Sequence, residues 1–160
     1  MTCPHASLRL GLISDTHGTL PAAACAALKG CDHIIHAGDI GSAAVIFELE
    51  ALAPVTAVLG NCDLEDYGLG LSCQAELALA DVSILVAHRP LDLHRALAAP
   101  GVRLPRLAVH GHTHTPREER VGAVLTVCPG SPCYPRRSAP SVMVLVLREG
   151  SVDSVELIEI

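Results

Sequence analysis

The chain has 160 residues, enough for one domain that buries its own core without disulfides or structural metals. Half of the residues are hydrophobic, but only Phe47, Tyr67 and Tyr134 are aromatic. The core must therefore be built from aliphatic side chains, which suits a sheet packed against helices. The formal net charge is -6 and Lys29 is the only lysine, so no basic stripe is present and nucleic acid is disfavoured as a partner.

The cysteines and the N-terminus indicate a cellular compartment. Seven cysteines without a repeated Cys-x-x-Cys spacing argue against a secreted disulfide framework and against a four-thiolate zinc site. The segment from Met1 to Leu10 has no long apolar run, so no signal peptide is predicted. No stretch approaches the length of a membrane span, so no membrane partner is expected. These features predict reduced thiols and a cytoplasmic location.

Short apolar runs and helical segments alternate in the first half of the sequence. Strands are predicted over 8–14, 34–35 and 55–59, and helices over 21–28 and 42–50. Pro21 is expected at the first position of the first helix, and Ser42 is expected to cap the second. This strand-helix order is typical of a doubly wound β-α-β unit.

The second half is predicted to be richer in strands. Strands are expected over 76–79, 83–87, 107–109, 124–127, 141–147 and 152–158, with a short helix over 91–97. The first two form a hairpin-like pair around Asp81, and the last three are expected in a more antiparallel region. Neither an internal repeat nor a linker is visible, so a single domain over 1–160 is predicted.

Nearly every predicted strand is followed by side chains that bind metals. They are Asp15, His17, Asp39, Asn61, His88, His112 and His114. Because strand ends converge at one edge of an α/β sheet, we expect these seven donors to meet at one place. Seven nitrogen and oxygen donors are too many for one tetrahedral ion, and they fit two divalent cations that share a carboxylate and a bridging water.

Each of these residues also has an ordinary structural explanation when it is taken alone. Asp15 after a strand is often a helix cap or turn residue, and Asp39 after a glycine is often a turn residue. Asn61 reads equally as a loop amide and His88 as a core or surface histidine. Their joint order at successive strand ends favours a metal site over these explanations. The remaining histidines, His5, His33, His36, His94 and His110, are predicted to be structural or solvated.

The sequence blocks resemble a known family. They are Asp15-Thr16-His17-Gly18, Gly38-Asp39, Gly60-Asn61-Cys62-Asp63, His88 and Gly111-His112-Thr113-His114. In this order they resemble the calcineurin-like metallophosphoesterases, in particular the small YfcE-like subgroup of bacteria and archaea. The resemblance runs from the first strand to about Arg136. It implies an α/β fold, a four-layer α/β/β/α sandwich of two mixed sheets flanked by helices.

The resemblance also implies how the metals are held. The first ion would be bound by Asp15, His17, Asp39 and His114. The second would be bound by Asp39, Asn61, His88 and His112, so that Asp39 bridges the two. Manganese is the expected metal, and iron, zinc or nickel are chemically acceptable to the same donors. A water bound between the ions would then attack the phosphorus atom of a phosphoester.

Departures from the family refine the expected reaction. The resemblance assigns catalytic positions to Asp39, Asn61, Cys62 and Asp63. Many relatives carry a histidine after the metal-binding asparagine, where this chain has Cys62. A thiol is a poor proton donor, so substrates with good leaving groups are expected, and Asp63 is expected to orient its neighbours. Arg89 and Arg136 are candidate substrate contacts, although the interpretation of Arg89 as a solvated loop residue is favoured.

Three classes of function remain open at this point. The leading hypothesis is a phosphodiesterase, with a phosphomonoesterase as the weaker form, acting on a small phosphoester. A nuclease is disfavoured by the acidity of the chain. A non-catalytic scaffold for protein partners is the alternative outside enzymes, and the complete set of metal ligands argues against it. The sequence does not determine the oligomeric state, and a homodimer is one candidate assembly.

Overall fold

The structure is a computed structural model and describes residues 7–160. Strands are β1 Leu8–Ile13, β2 His33–His36, β3 Val55–Ala57, β4 Gln74–Leu79, β5 Val82–Ala87, β6 Leu107–Val109, β7 Arg117–Val121, β8 Val124–Cys128, β9 Ser141–Arg148 and β10 Ser151–Glu159. Helices are α1 Ala22–Leu28, α2 Ala43–Glu50 and α3 Pro90–Leu97. None of the helices in this described part is long and apolar enough to cross a membrane. The prediction for His5, and most of that for the N-terminal segment, lies outside this range.

The strands form two five-stranded sheets. The first has the order β10-β9-β1-β2-β3. In it β1, β2 and β3 are parallel to one another, β9 is antiparallel to β1, and β10 is antiparallel to β9. The second has the order β4-β5-β6-β8-β7, in which β5, β6 and β8 are parallel and the two edge strands are antiparallel. Both sheets are mixed, as the predicted fold requires.

Alternating side chains along the strands separate three apolar layers. Leu12 and Val109 belong to the core between the two sheets. On the opposite face of the first sheet, α1 and α2 bury Leu28 and Leu49. On the opposite face of the second sheet, α3 buries Leu93. This arrangement confirms the predicted four-layer α/β/β/α sandwich.

The sequence signals for the starts of α1 and α2 agree closely with the structure. The Oγ of Ser42 accepts a hydrogen bond from the backbone N–H of Ala44, which confirms the predicted cap of α2. Pro21 is the residue before α1 and not its first helical residue. The third strand ends at Ala57 instead of residue 59, because Val58 and Leu59 pair with Ser72, outside the sheet, although the N–H of Val58 still donates to the carbonyl of His36.

The second half differs from the prediction in two ways. β7 is not predicted, because its residues are all exposed and mostly charged and therefore show no apolar alternation. The expected antiparallel pairing is confirmed for β9 and β10. It holds only in part for β8, which is antiparallel to β7 but parallel to β6.

Candidate metal centre

Parallel strands place the predicted ligands together. Asp15, Asp39 and Asn61 come within a few residues of the ends of β1, β2 and β3, which run parallel in the first sheet. His88 follows β5, and the His112–His114 segment follows β6, which is parallel to β5 in the second sheet. The candidate metal ligands therefore come together from the carboxyl ends of strands in both sheets.

The first ligand set, Asp15, His17, Asp39 and His114, is closely gathered. One ligand atom from each side chain lies within 4.8 Å of all the others. Nε2 of His114 is 3.4 Å from Nε2 of His17 and 3.3 Å from Oδ1 of Asp15. Nε2 of His17 is 3.8 Å from Oδ2 of Asp39. Three of the four residues are buried, and only His17 is partly exposed.

The second ligand set, Asn61, His88 and His112 together with Asp39, is more open. Nε2 of His88 lies 3.1 Å from Oδ1 of Asn61 and 3.4 Å from Oδ2 of Asp39. The ring of His112 stands at 80° to the ring of His88, with 5.3 Å between the centroids. His88 is buried, but Asn61 and His112 are exposed.

Backbone carbonyls fix the orientation of two ligand histidines. Nδ1 of His88 donates to the carbonyl of Ala37 at 2.7 Å, and Nδ1 of His114 donates to the carbonyl of Tyr134 at 2.6 Å. In each neutral ring the lone pair is therefore on Nε2, the atom that faces the carboxylates. This is the arrangement found around histidines that bind metals.

The lone pairs in the centre face one another. Nε2 of His88 meets the oxygens of Asn61 and Asp39, and Nε2 of His114 meets an oxygen of Asp15. Acceptors at such distances repel unless a proton or a cation lies between them. The donor set consequently fits divalent cations that take nitrogen and oxygen ligands.

The backbone is strained at most of the ligand positions. Five ligand residues have positive φ: Asp15 (56°), His17 (45°), Asp39 (54°), His112 (69°) and His114 (55°). Residues other than glycine seldom adopt this left-handed conformation, which costs about 1–2 kcal/mol per residue. Such strain is concentrated at functional sites, where it aims side chains that a relaxed backbone would not.

Two glycines allow the loops to approach each other. A Cβ atom at Gly60 would collide with the carboxylate and backbone of Asp39. A Cβ atom at Gly111 would collide with the hydroxyl of Ser14 and lie 2.8 Å from Oδ2 of Asp15. Any side chain at either position would push a metal-facing carboxylate out of place.

The surroundings shift the pKa values of Asp15 and Asp39 in opposite directions. Burial raises the pKa of Asp15, against the opposing hydrogen bond from Ser14 and the nearby histidines. Burial also acts against ionisation of Asp39, but the neighbouring ring of His88 and the hydrogen bond from the backbone N–H of Cys62 outweigh it and hold the pKa of Asp39 well below its usual range. Asp39 is thus held as a carboxylate at the position shared by both ligand sets.

Asp63 holds two loops together. Its Oδ2 accepts hydrogen bonds from the backbone N–H groups of Gly60 and Ile40, at 2.7 and 3.1 Å. Its Oδ1 accepts from the N–H of Gly41 at 3.0 Å and from the hydroxyl of Tyr67 at 2.6 Å. With both oxygens occupied in this way, the side chain positions the loop of Asn61 against the loop that follows β2, which supports the predicted orienting role.

Sequence reasoning missed Ser131 and predicted His36 as structural or solvated; both residues support the site. Ser131 donates its hydroxyl proton to the carbonyl of Asp15 at 2.8 Å and accepts the N–H of Tyr134 at 2.9 Å. His36 is fully buried, accepts the N–H of Gly38 and donates to the hydroxyl of Thr16. Burial lowers the pKa of His36 to about 3, so it stays neutral. No local pattern marks Ser131 for this role.

Tyr134 is a second position that sequence reasoning missed. Its ring is half exposed and meets the ring of His17 edge to face, with 5.3 Å between the centroids and an angle of 87°. It therefore offers an apolar surface beside the first ligand set. No local pattern marked this tyrosine, because its contact with His17 joins distant parts of the chain.

The predicted substrate contacts and Cys62 lie on the exposed side. Cys62 is exposed, and partial desolvation together with the nearby carboxylate of Asp39 raises the pKa of its thiol, so the thiol is neutral. Arg89 is exposed directly after His88. Arg136 is exposed, and its backbone N–H donates to the carbonyl of His114. The roles of both arginines stay predictions.

Comparisons with known proteins agree with this architecture. The family model described as the calcineurin-like phosphoesterase superfamily domain matches residues 8–150. A probable metallophosphoesterase of Methanothermobacter thermautotrophicus is 33% identical over 154 residues, which cover 91% of this chain and 89% of the relative. A phosphodiesterase of Methanocaldococcus jannaschii is 26% identical over 156 residues, which cover 86% of this chain and 92% of the relative.

A solved structure gives the same result for the fold. It is described as a novel archaeal phosphodiesterase and is 25% identical, with a TM-score of 0.76 and coverage of 94% of this chain and 100% of that chain. The family match, the fold and the Asp/His cluster agree with the family predicted from the sequence blocks. The chain belongs to the calcineurin-like phosphoesterase superfamily.

Proposed function

We propose that this protein is a phosphodiesterase that cleaves small phosphodiesters with good leaving groups at a centre of two divalent cations, preferably Mn²⁺. The first cation would be held by Asp15, His17, Asp39 and His114. The second would be held by Asp39, Asn61, His88 and His112. Seven residues of both sheets would thereby form one catalytic centre.

The observation that carries the proposal is the set of lone pairs that face one another. Ala37 and Tyr134 fix the tautomers of His88 and His114, so both Nε2 atoms are free to bind a cation. Asp39 lies within reach of both ligand sets, and its depressed pKa keeps it ionised. A carboxylate in this position is suited to bridge two ions.

The charge of the centre favours an anionic substrate. Two divalent cations outweigh the carboxylates of Asp15 and Asp39, so the loaded site is positive although the chain is acidic. Bound divalent cations lower the pKa of water and stabilise charge on phosphoryl oxygens. The protein contributes by holding seven donors in fixed positions and by orienting the loops through Asp63 and Ser131.

The exposed side of the centre points to the type of substrate. Cys62 is a neutral thiol and supplies neither a positive charge nor an efficient proton for a departing alkoxide. An aryl or nucleotide ester, whose leaving group departs without protonation, suits this site better. The half-exposed ring of Tyr134 beside His17 gives an aromatic group a surface to contact. One relative carries the name phosphodiesterase, which agrees with this choice.

The test is hydrolysis by the purified chain with added Mn²⁺. We expect bis-p-nitrophenyl phosphate to be cleaved with a higher kcat/KM than p-nitrophenyl phosphate. Asp39→Ala should reduce the turnover to that of the protein in EDTA. Asp153→Ala, which alters an exposed ion pair with Arg148, is the matched control and should keep full activity.

Two results would contradict the proposal. Metal-dependent turnover of the monoester above that of the diester would assign a phosphomonoesterase. Tight Mn²⁺ binding without turnover of either ester above Asp39→Ala would favour the scaffold. Plasmid DNA as a further substrate separates the nuclease alternative from small-molecule hydrolysis. The oligomeric state stays open, and the cytoplasmic location stays a prediction.

A further inference from the structure

The two loops that carry most of the first ligand set run side by side. Asp15 and His17 lie in the loop after β1, and Asp39 lies in the loop after β2. The backbone N–H of Asp15 donates to the carbonyl of Gly38 at 2.9 Å, and the N–H of His17 donates to the carbonyl of Asp39 at 3.0 Å. The geometry of the first set therefore depends on how these two loops are held together.

A buried histidine and a buried threonine join the same two loops through their side chains. His36 is the last residue of β2, and Thr16 stands between the ligands Asp15 and His17. Both His36 and Thr16 are fully buried. Nε2 of His36 is 2.9 Å from Oγ1 of Thr16, and Oγ1 of Thr16 is 2.9 Å from the carbonyl oxygen of Ile40. The side chain of Thr16 thus links the loop after β1 to the end of β2 and to the loop beyond it.

The hydrogen bonds of this link each have a single direction. The backbone N–H of Gly38 donates to Nδ1 of His36 at 3.2 Å. Burial keeps the ring of His36 neutral, because it lowers the pKa to about 3, so the one ring proton is on Nε2. Nε2 therefore donates to Oγ1 of Thr16, whose own proton goes to the carbonyl of Ile40. Loss of either side chain would leave a buried partner without its hydrogen bond.

We propose that His36 is a positioning residue of the metal centre, which acts through the hydroxyl of Thr16 to hold one ligand loop against the other. The inference rests on the proposed function and adds a residue outside both ligand sets. Because Thr16 stands between Asp15 and His17, a shift of Thr16 displaces both ligands. Groups that orient metal ligands from outside typically change metal affinity by about 10–100-fold when they are lost. The bond from Nε2 of His36 is the one that sets the affinity of the first ion.

Two substitutions of His36 separate the two hydrogen bonds of its ring. His36→Gln places an N–H group near the position of Nε2, whereas His36→Asn places an acceptor near the position of Nδ1 and does not reach Thr16. We expect His36→Asn to weaken binding of the tighter Mn²⁺ ion by about 10–100-fold, and His36→Gln to change it by no more than about threefold. Calorimetric titration of the full chain measures the affinity without a substrate. Equal losses in the two variants, or no loss in either, would overturn the proposal.

Thr16 tests the same link from its other side, and decides the question even where a His36 variant does not fold. Thr16→Val keeps the shape of the side chain without the hydroxyl and should weaken the tighter Mn²⁺ ion as much as His36→Asn does. Thr16→Ser keeps the hydroxyl and should bind Mn²⁺ like the native chain. The double variant with His36→Asn and Thr16→Val should lose no more than either alone, because both remove one shared bond. A serine variant as weak as the valine variant would contradict the proposal.

His33 provides the matched control. It is the first residue of β2, and its Nε2 is 2.8 Å from Oγ1 of Thr56, so it forms a second histidine–threonine hydrogen bond on the same strand. His33→Asn should leave the affinity for Mn²⁺ unchanged, and circular dichroism in EDTA checks that each variant folds. A loss equal to that of His36→Asn would mean that any weakening of β2 reduces the affinity, and would overturn the proposal. A native chain that binds no Mn²⁺ would overturn the metal centre itself, and this inference with it.

Discussion

The two proposed ligand sets differ in how closely their side chains are gathered and in how deeply they are buried. The atoms of the first set lie within 4.8 Å of one another, and Asp15, Asp39 and His114 are buried. In the second set Asn61 and His112 are exposed. Both sets share Asp39, so the difference arises in the other ligands.

This difference separates two tasks. A buried and closely gathered set excludes water and keeps its geometry, so it is expected to bind its ion tightly. The second set leaves exposed ligands at the surface, where a substrate can enter. The loop of Asn61 depends on Asp63 for its position, whereas Asp15 is held by Ser131 and Ser14 inside the protein. The predictions below test this contrast.

The largest effect is expected from two histidine substitutions. His114→Ala should lower the affinity of the tighter Mn²⁺ ion by about 10³-fold, more than the 10–100-fold typical of losing a residue that only orients a ligand. His112→Ala should change that affinity by no more than about threefold and weaken mainly the second ion, because His112 belongs to the open set. Calorimetric titration with Mn²⁺ measures both affinities.

His94→Ala is the control, since His94 is exposed and outside both sets. Equal losses of the tighter affinity in the His112 and His114 variants would show that the two sets are prepared to the same degree.

A smaller effect is expected from the loop contacts of the second set. Asp63→Ala removes one acceptor from three backbone N–H groups and one hydroxyl, and should lower the free energy of unfolding by about 3 kcal/mol. Urea denaturation in EDTA measures the change. Tyr67→Phe removes one of these hydrogen bonds and should cost about 1 kcal/mol. If the two variants were equally stable, Asp63 would not be the residue that holds the loops.

The open side can be tested through the leaving group. Cys62→His places a proton donor beside the second set and should raise the turnover of diphenyl phosphate relative to bis-p-nitrophenyl phosphate by about tenfold. Steady-state kinetics on the two diesters give the ratio. Cys73→His, at an exposed cysteine on the approach to β4, is the control and should leave the ratio unchanged. A rise of less than about twofold for Cys62→His would remove the basis for the leaving-group preference.

The smallest effect concerns the backbone of the first set. His17 has a φ of 45°, so His17→Gly should be more stable than His17→Ala by about 1 kcal/mol when both are measured in EDTA. At His94, inside α3, the same pair should have the opposite order, with alanine more stable by about 1 kcal/mol. The same order at both positions would mean that the left-handed conformation at His17 carries no strain.

The grouping of the candidate ligand residues at one edge was predictable from local sequence. Short apolar runs that end in Asp15, Asp39 or His112 mark strand ends, and parallel strands bring such ends to one edge. The apolar periodicity also predicted most strands and all three helices. What the pattern could not predict was β7, because an exposed charged edge strand shows no alternation.

The supporting contacts were not predictable because they join distant residues. Ser131 and Asp15 are 116 positions apart, and the contact between Tyr134 and His17 also crosses most of the chain. Neither residue has a local signature for this role. Among residues 7–160, Nε2 of the buried His110 lacks a hydrogen-bond partner, and no sequence pattern indicates this.

The proposed ligands come from both sheets. Asp15, Asp39 and Asn61 follow strands of the first sheet, and His88, His112 and His114 follow strands of the second. Under the proposed ligand sets, the cations would link the two sheets of the sandwich to each other. Removal of the cations by a chelator would then change the rate at which the two sheets separate, and it would change the folded structure less. Resistance to protease should follow the metal content of a preparation, and storage with chelators would shorten the lifetime of a protein whose fold is otherwise intact.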